Sequence, residues 1–147
     1  MINRSSMEQK KTPRGIRNNN PLNIRKGAAW QGLAPVQSDS SFCVFKSMEY
    51  GLRAAHKLLR NYITGYNGRF KPTDTISTIV AKWAPPSENA TQKYIECVAN
   101  ETGLSPFERI HFLNRKTMCD LVAAMAFVEC GQRIDRKLIE SAYDMLN

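Results

Sequence analysis

The chain has 147 residues, of which 42% are hydrophobic and 23% are charged, and it carries a net charge of +8. This composition indicates a soluble globular protein, and an integral membrane segment is excluded because no apolar run approaches the roughly 20 residues that span a bilayer. The positive charge favours an anionic partner, such as nucleic acid, a cell-wall polymer or an acidic membrane surface.

The N-terminal part of the chain combines a basic tail with a turn-rich loop. Residues 1–13 are polar and basic and lack an apolar stretch, so we expect a flexible tail without a cleavable secretory signal. Residues 14–33 contain three consecutive asparagines followed by Pro21, and later Gly27 and Gly32, which predict a loop rather than a helix. We expect residues 14–147 to form one domain.

The remaining chain is predicted to contain one short strand and several helices. Residues 41–47, SFCVFKS, are aromatic and β-branched, which predicts a strand in a small hairpin with the preceding loop. Five helices are predicted from their capping residues and terminators. They extend from Ser47 to Gly65, from Asp74 or Thr75 to Pro85, from Asn89 (in a capping box with Gln92) to Gly103, from Asn114 to Gly131, and from Asp135 onwards. The predicted fold class is therefore mainly α, a helical domain with one small β-hairpin.

The helix between Asn114 and Gly131 contains an unexpected carboxylate. Its core-facing stripe is formed at helical spacing by Met118, Leu121, Val122 and Met125. The next position on this stripe is Glu129, where burial and the negative end of the helix dipole would both raise the pKa of a carboxyl group. A carboxyl group with a raised pKa suits a general acid. The alternative is that Glu129 turns to the helix edge and pairs with Arg133.

The four cysteines give no sign of a metal site. Cys43, Cys97, Cys119 and Cys130 lack C-x-x-C spacing, so zinc is not expected. We predict reduced thiols that are mostly packed in the core, and no metal or other cofactor.

Several motifs resemble those of a known family. They are R-G-I-R-N-N-N-P-L-N-I-R, W-Q-G, F-x-x-F-x-S-x-E-Y-G-L-R-A-A and W-A-P-P-x-E-N. Together they resemble a phage-associated family of lysozyme-like virion and endolysin proteins, and they are similar to flagellar-type and autolysin-type glucosaminidases. The matching segments are 19–25, 42–45 and 83–94. In those glucosaminidases the catalytic Glu helix comes first, whereas here it follows the other segments, so the resemblance implies a circularly permuted lysozyme-like fold.

The resemblance implies an enzyme that cleaves peptidoglycan, either a muramidase or a lytic transglycosylase of phage or phage-derived origin, with Glu129 as its general acid. The residues implied in substrate binding are Asn20, Asn23, Arg25, Trp30, Gln31, Trp83, Glu88, Asn89 and Tyr94. The asparagines and the arginine would bind sugar amides and hydroxyls. The aromatic side chains would stack on pyranose rings or position Glu129, although ordinary core packing is the alternative for them.

Glycoside hydrolysis generally uses a second carboxylate. Glu49, Glu88 and Asp39 are the candidates, but the two glutamates also suit the first turn of a helix and Asp39 suits a turn. If none of them serves, the resemblance permits a single-carboxylate reaction. In that reaction, as in lytic transglycosylases, the sugar's own 6-hydroxyl displaces the leaving group.

Two further classes of function compete with an enzyme. A non-catalytic lysozyme-like protein, either a structural protein of the virion or a protein that binds the cell wall, could share the fold without the activity. A nucleic-acid-binding domain would use the +8 charge, but the charges are scattered, so we interpret them as non-specific steering. We expect peptidoglycan glycan strands as the partner, together with other virion or secretion components. The expected site of action is the periplasm or cell wall, reached by release, by injection or within a virion.

Overall fold

The computed structural model describes residues 12–84 and 87–146, apart from the side chains of Glu88 and Asn89. The predicted flexible tail therefore lies almost entirely outside the described residues. Within those ranges the chain is mainly helical, as the sequence predicted. Its six helices are α1 (Arg14–Arg17), α2 (Met48–Gly68), α3 (Ile76–Trp83), α4 (Glu88–Thr102), α5 (Arg115–Cys130) and α6 (Arg136–Asp144).

Local capping signals determine most of the helix ends. The predicted N-caps that the structure confirms are Ser47, Thr75, Asn114 and Asp135. Gly103 and Gly131 occupy the left-handed C-cap positions predicted for them. The predicted cap at Asn89 is wrong, because the Ser87 side chain accepts a hydrogen bond from the backbone N–H of Ala90 and α4 already begins at Glu88.

The N-terminal loop region differs from its prediction in two ways. It contains the short helix α1, and the predicted hairpin is reduced to isolated antiparallel bridges that pair Arg25 with Phe42 and Leu33 with Phe45. Backbone hydrogen bonds flank each bridge, for example from the Cys43 N–H to the Ile24 carbonyl at 2.9 Å, and side-chain amides add to them. The Gln37 amide donates to the Val44 carbonyl and accepts from its N–H, at 2.8 and 2.9 Å. We call residues 18–25 the asparagine loop.

Helix α5 is central to the core. Its stripe residues Met118, Leu121, Val122 and Met125 are completely buried, and the helix contacts α1, α2, α4 and α6. Cys43, Cys119 and Cys130 are buried free thiols, as predicted. In the part of the chain that the structure describes, no helix combines the length and the apolar character that crossing a bilayer requires.

The asparagine loop lies directly against the first turns of α2. The Asn19 side chain donates to the Phe45 carbonyl at 3.0 Å, and a Cβ atom on Gly51 would collide with the Asn19 carbonyl oxygen. Only a residue without a side chain therefore allows this loop to approach the helix.

Replacing Gly51 tests this contact. Alanine is the better helix former, but Gly51→Ala should lower the free energy of unfolding by about 1–3 kcal/mol because the loop must move away. Urea unfolding would measure this change. The exposed Asn100→Ala substitution in α4 is the control and should show only the propensity effect. A Gly51→Ala protein as stable as the wild type would contradict the close packing.

His56 is a buried titratable group between α2 and α6. Its Nε2 lies 3.0 Å from the Ile139 carbonyl oxygen, and burial lowers the pKa of His56 to about 4. In the unfolded chain a histidine has a pKa of about 6.5, so between these values the unfolded state binds the proton that the folded state does not. The free energy of unfolding should therefore fall as the pH drops from about 6.5 to 4, by about 3 kcal/mol from this group.

NMR can measure this pKa directly. The chain contains two histidines, so His111→Gln leaves His56 as the only imidazole. We expect its ring resonances in the folded protein to titrate with a pKa near 4. Titration near 6.5 without loss of the fold would contradict the buried, neutral state of His56.

Candidate functional site

Glu129 is the penultimate residue of α5, is partly buried and lines two clefts. The main cleft has a volume of about 600 Å³. It is lined by Asn23, Arg25, Trp30, Phe42, Leu58, Tyr62, Lys82 and Trp83, among others. The rear cleft, of about 560 Å³, lies between α4 and α5 and is lined by Lys93, Tyr94, Cys97, Phe127 and Val128. Glu129 thus borders two ligand-sized spaces.

The carboxyl group of Glu129 is held by the asparagine loop. The Asn23 side chain donates from Nδ2 to Oε1 of Glu129 at 2.9 Å. Burial raises the pKa of Glu129, as the sequence predicted, and the neighbouring side chains of Asn23 and Tyr94 partly oppose this rise. The alternative partner, Arg133, instead binds Glu101 at 2.7 and 2.9 Å. Pairing of Glu129 with Arg133 is therefore wrong.

Three buried hydrogen-bonding groups of cleft residues lack partners among the described residues. They are Oδ1 of Asn23 and the Trp30 indole N–H, in residues of the main cleft, and the Tyr94 hydroxyl, in a residue of the rear cleft. The Tyr94 hydroxyl is close enough to Glu129 to affect its pKa but makes no direct hydrogen bond of good geometry. Because buried polar groups are ordinarily hydrogen bonded, these three groups have hydrogen-bonding capacity left for a ligand.

Internal hydrogen bonds determine the position of Asn23. Asn20 is completely buried, and its side chain donates to the carbonyls of Ile24 and Cys43 and accepts from the Ile24 N–H, all at 2.9 Å. The prediction that Asn20 binds substrate is therefore wrong, since its amide is fully used inside the protein. Asn20 holds the loop in shape, and Asn23 adopts a left-handed backbone (φ 53°) that directs its amide to Glu129.

Of the other predicted binding residues, Arg25 and Trp83 line the main cleft, whereas Gln31 lines neither cleft. Arg25 lies over the Phe42 ring at 5.1 Å and lines the main cleft. Trp83 also lines it, and its indole N–H donates to the Leu22 carbonyl at 3.0 Å, which ties α3 to the asparagine loop. Gln31 is exposed and lines neither cleft, so its predicted role in binding is not supported.

The predicted roles of Glu88 and Asn89 concern side chains outside the described part of the structure, although both residues belong to the first turn of α4. The helix end predicted at Pro85 also lies outside the described residues.

No second carboxylate reaches the site among the described side chains. Asp39 is bound by Arg14 through two hydrogen bonds, one of them 2.6 Å long, and this contact holds the pKa of Asp39 well below its usual range. Asp39 also accepts hydrogen bonds from the backbone N–H groups of Ser41 and Phe42. Glu49 accepts a hydrogen bond from the Ser141 hydroxyl at 3.2 Å. Of the described residues that line either cleft, Glu129 alone carries a carboxyl group.

The cleft residues that were not predicted as site residues include Tyr62, Phe42 and Lys82. Tyr62 has the spacing of a core residue in α2, Phe42 was read only as part of a strand, and Lys82 follows no motif. Tyr62 packs edge-on against Trp83 with ring centroids 5.9 Å apart, and the Lys82 ammonium lies 4.6 Å from the Tyr62 ring. Spacing within α2 predicted that Tyr62 faces inward but could not indicate that the inward side borders a cleft.

The fold and the site define a mainly helical protein in which a partly buried glutamate borders two clefts. No protein-family model matches the chain. The chain is 39% identical over 122 residues to Protein P5 of Pseudoalteromonas phage PM2, and the alignment covers 80% of this chain and 71% of that protein. The chain therefore belongs to the family of this phage protein, which supports the predicted association with bacteriophages.

The hydrogen bond from Asn23 should lower the pKa of Glu129, so its removal should raise that pKa. Asn23→Gly removes the amide and keeps the left-handed backbone accessible. The carboxyl carbon resonance of Glu129, assigned by its loss in Glu129→Gln, should then titrate at a higher pH than in the wild type. Asn67→Gly is the matched control, because Asn67 also has a left-handed backbone (φ 60°) but is exposed and lines neither cleft. An unchanged or lowered pKa in Asn23→Gly would contradict this role of Asn23.

Proposed function

We propose that this protein cleaves the glycan backbone of peptidoglycan, with Glu129 as the general acid, in a lysozyme-like fold with circularly permuted segments. The observation that carries the proposal is the position of Glu129. This residue borders two clefts, and its partly buried carboxyl group has a raised pKa and is held by one hydrogen bond from Asn23. An acid that protonates a glycosidic oxygen needs this combination of a retained proton, access to substrate and fixed orientation.

The cleft walls have the groups that bind sugars. The unpartnered Trp30 indole N–H and Tyr94 hydroxyl would bond sugar oxygens on either side of Glu129. Arg25 and Lys82 add positive charge to the main cleft, and both are exposed. This charge suits the carboxylates of muramyl groups and of their attached peptides, and it suits a neutral glycan less well. The substrate class that fits best is therefore peptidoglycan.

The described carboxylates favour one of the two reaction types. A hydrolase needs a second carboxylate to activate water or to form a glycosyl intermediate. Among the described cleft side chains only Glu129 has one, which favours attack by the muramyl 6-hydroxyl on C1 of the same sugar. In that reaction Glu129 gives its proton to the leaving glycosidic oxygen and takes up the proton of the attacking hydroxyl. The product would carry a 1,6-anhydro end.

The family supports the biological setting of this proposal. A phage relative is consistent with an enzyme that acts on the host cell wall, as an endolysin, a virion component or an injected protein. We propose that the protein meets the wall by one of these routes and that the excess positive charge of the chain concentrates it on the anionic polymer.

The decisive comparison is between two Glu→Gln substitutions. Glu129→Gln removes the acid, whereas Glu108→Gln makes the same charge change at an exposed position that lines neither cleft. Release of muropeptides from purified peptidoglycan, measured by mass spectrometry, should fall by about 100-fold or more in Glu129→Gln and stay unchanged in Glu108→Gln. The product ends distinguish the reactions, since hydrolysis leaves a reducing sugar and transglycosylation a 1,6-anhydro sugar.

Two results would contradict the proposal. Full activity of Glu129→Gln would remove the assigned acid. A wild-type protein that binds peptidoglycan of several chemotypes but releases nothing would instead indicate a non-catalytic cell-wall-binding protein of the virion.

A further inference from the structure

A third space, which we call the loop cleft, lies beside the main cleft. It has a volume of about 300 Å³, and Tyr62 and Lys82 line both it and the main cleft. Its other walls include Tyr66, Phe70 and Lys71, which follow or end α2. Because Tyr62 and Lys82 line both spaces, the loop cleft lies next to the main cleft.

A row of aromatic rings connects the two clefts. Trp83 and Tyr62 are 5.9 Å apart, Tyr62 and Tyr66 6.4 Å, and Tyr66 and Phe70 5.6 Å, measured between ring centroids. Phe70, at the outer end, is 67% exposed. An exposed aromatic side chain on the wall of a cleft has a free face on which a flat apolar surface can stack.

The backbone under this row is fixed in an unusual conformation. Gly65, Tyr66 and Asn67 all have left-handed dihedrals, with φ of 63°, 54° and 60°. A Cβ atom on Gly65 would collide with the Phe70 carbonyl, and the Phe70 N–H donates back to the Gly65 carbonyl at 2.9 Å. Left-handed backbone at residues other than glycine costs free energy, and such conformations occur preferentially at functional sites. The loop thus holds Tyr66 and Phe70 in fixed positions.

The loop cleft is also positively charged. Lys71 and Lys82 are exposed, and neither has an acidic partner among the described residues. No described residue that lines this cleft carries a carboxylate. Unpaired cations next to a free aromatic face would recognise a ligand that combines a ring with an apolar face and negative charge.

We propose that the loop cleft is a distal subsite for a carboxylate-bearing saccharide of the same glycan strand. The apolar face of its pyranose ring stacks on Phe70, next to the edge-on Tyr66 ring, and Lys71 and Lys82 bind the carboxylates of the muramyl group or its peptide. This inference rests on the proposed function and adds to it a preference for long, anionic strands. A volume of about 300 Å³ is at the lower end for ligand pockets, which suits a single saccharide unit.

Binding can be tested separately from cleavage. Phe70→Ala is compared with Phe107→Ala, since Phe107 is also highly exposed (78%) but lines none of the three clefts. Both substitutions are made in the Glu129→Gln protein, so that the glycan stays uncut, and binding to insoluble peptidoglycan is measured by sedimentation. Phe70→Ala should weaken this binding about fivefold to tenfold. The Phe107→Ala control should leave it unchanged. Lys71→Gln should weaken binding to peptidoglycan but not to chitin, a neutral polymer.

Kinetics with the active protein give a second measurement. Phe70→Ala should raise KM for long glycan strands and leave kcat unchanged, whereas a two-sugar fragment, too short to reach the loop cleft, should show no difference. Identical behaviour of Phe70→Ala and Phe107→Ala on every substrate would overturn the distal subsite while leaving the proposed reaction intact. A wild-type protein that binds but never cuts, with binding still dependent on Phe70, would support the subsite although the proposed reaction had failed.

Nucleic acid is the ligand most similar in chemistry, because aromatic rings and cations also bind single strands. If Phe70→Ala reduced retention on single-stranded DNA and not on peptidoglycan, the saccharide subsite would be overturned.

Discussion

A single hydrogen bond, from the Asn23 amide to the Glu129 carboxyl group, joins two parts of the chain that are 106 residues apart in sequence. Several other interactions hold the asparagine loop in the position that this hydrogen bond requires. The buried Asn20 amide determines the shape of the loop, and the Trp83 indole fixes the loop to α3 through the Leu22 carbonyl. The loop approaches α2 closely because Gly51 has no side chain. Loss of any of these supports would displace Asn23 relative to Glu129.

The electrostatics of Glu129 reflect two opposing effects. Burial disfavours the charged carboxylate and raises its pKa, whereas the hydrogen bond from Asn23 favours the charged form. A general acid needs both, since it must hold a proton in the free protein and be stabilised after giving it away. Arg25 and Lys82 in the same cleft add positive charge, and neither forms an ion pair with Glu129 or with another described carboxylate. Two cations and a carboxyl group of raised pKa thus line one cleft.

The sequence patterns correctly predicted features that depend on neighbouring residues. They did not predict features that depend on residues distant in the chain. Caps such as Ser47 and Asn114 act within a few residues, so their helices could be located from sequence. The predicted hairpin is reduced to two isolated bridges among the described residues, and the Gln37 side chain binds the backbone of Val44 beside them. Asn20 was misassigned because residue type alone does not distinguish an amide that shapes a loop from one that binds a ligand. Tyr62 and Lys82 enter the site through tertiary packing, which no spacing within their own helices reveals.

The order of the segments has a geometric consequence for the proposed permutation. In the glucosaminidases that the sequence resembles, the Glu helix leads into the asparagine-containing segment. Here α5 comes late in the chain, yet α1 contacts α5 and leads directly into the asparagine loop, whose Asn23 reaches Glu129. The asparagine loop and the Glu helix are therefore in contact, although Asn23 and Glu129 are 106 residues apart in sequence. Because a site depends on the positions of its side chains and not on chain order, a permuted chain can assemble the same acid and the same loop around it.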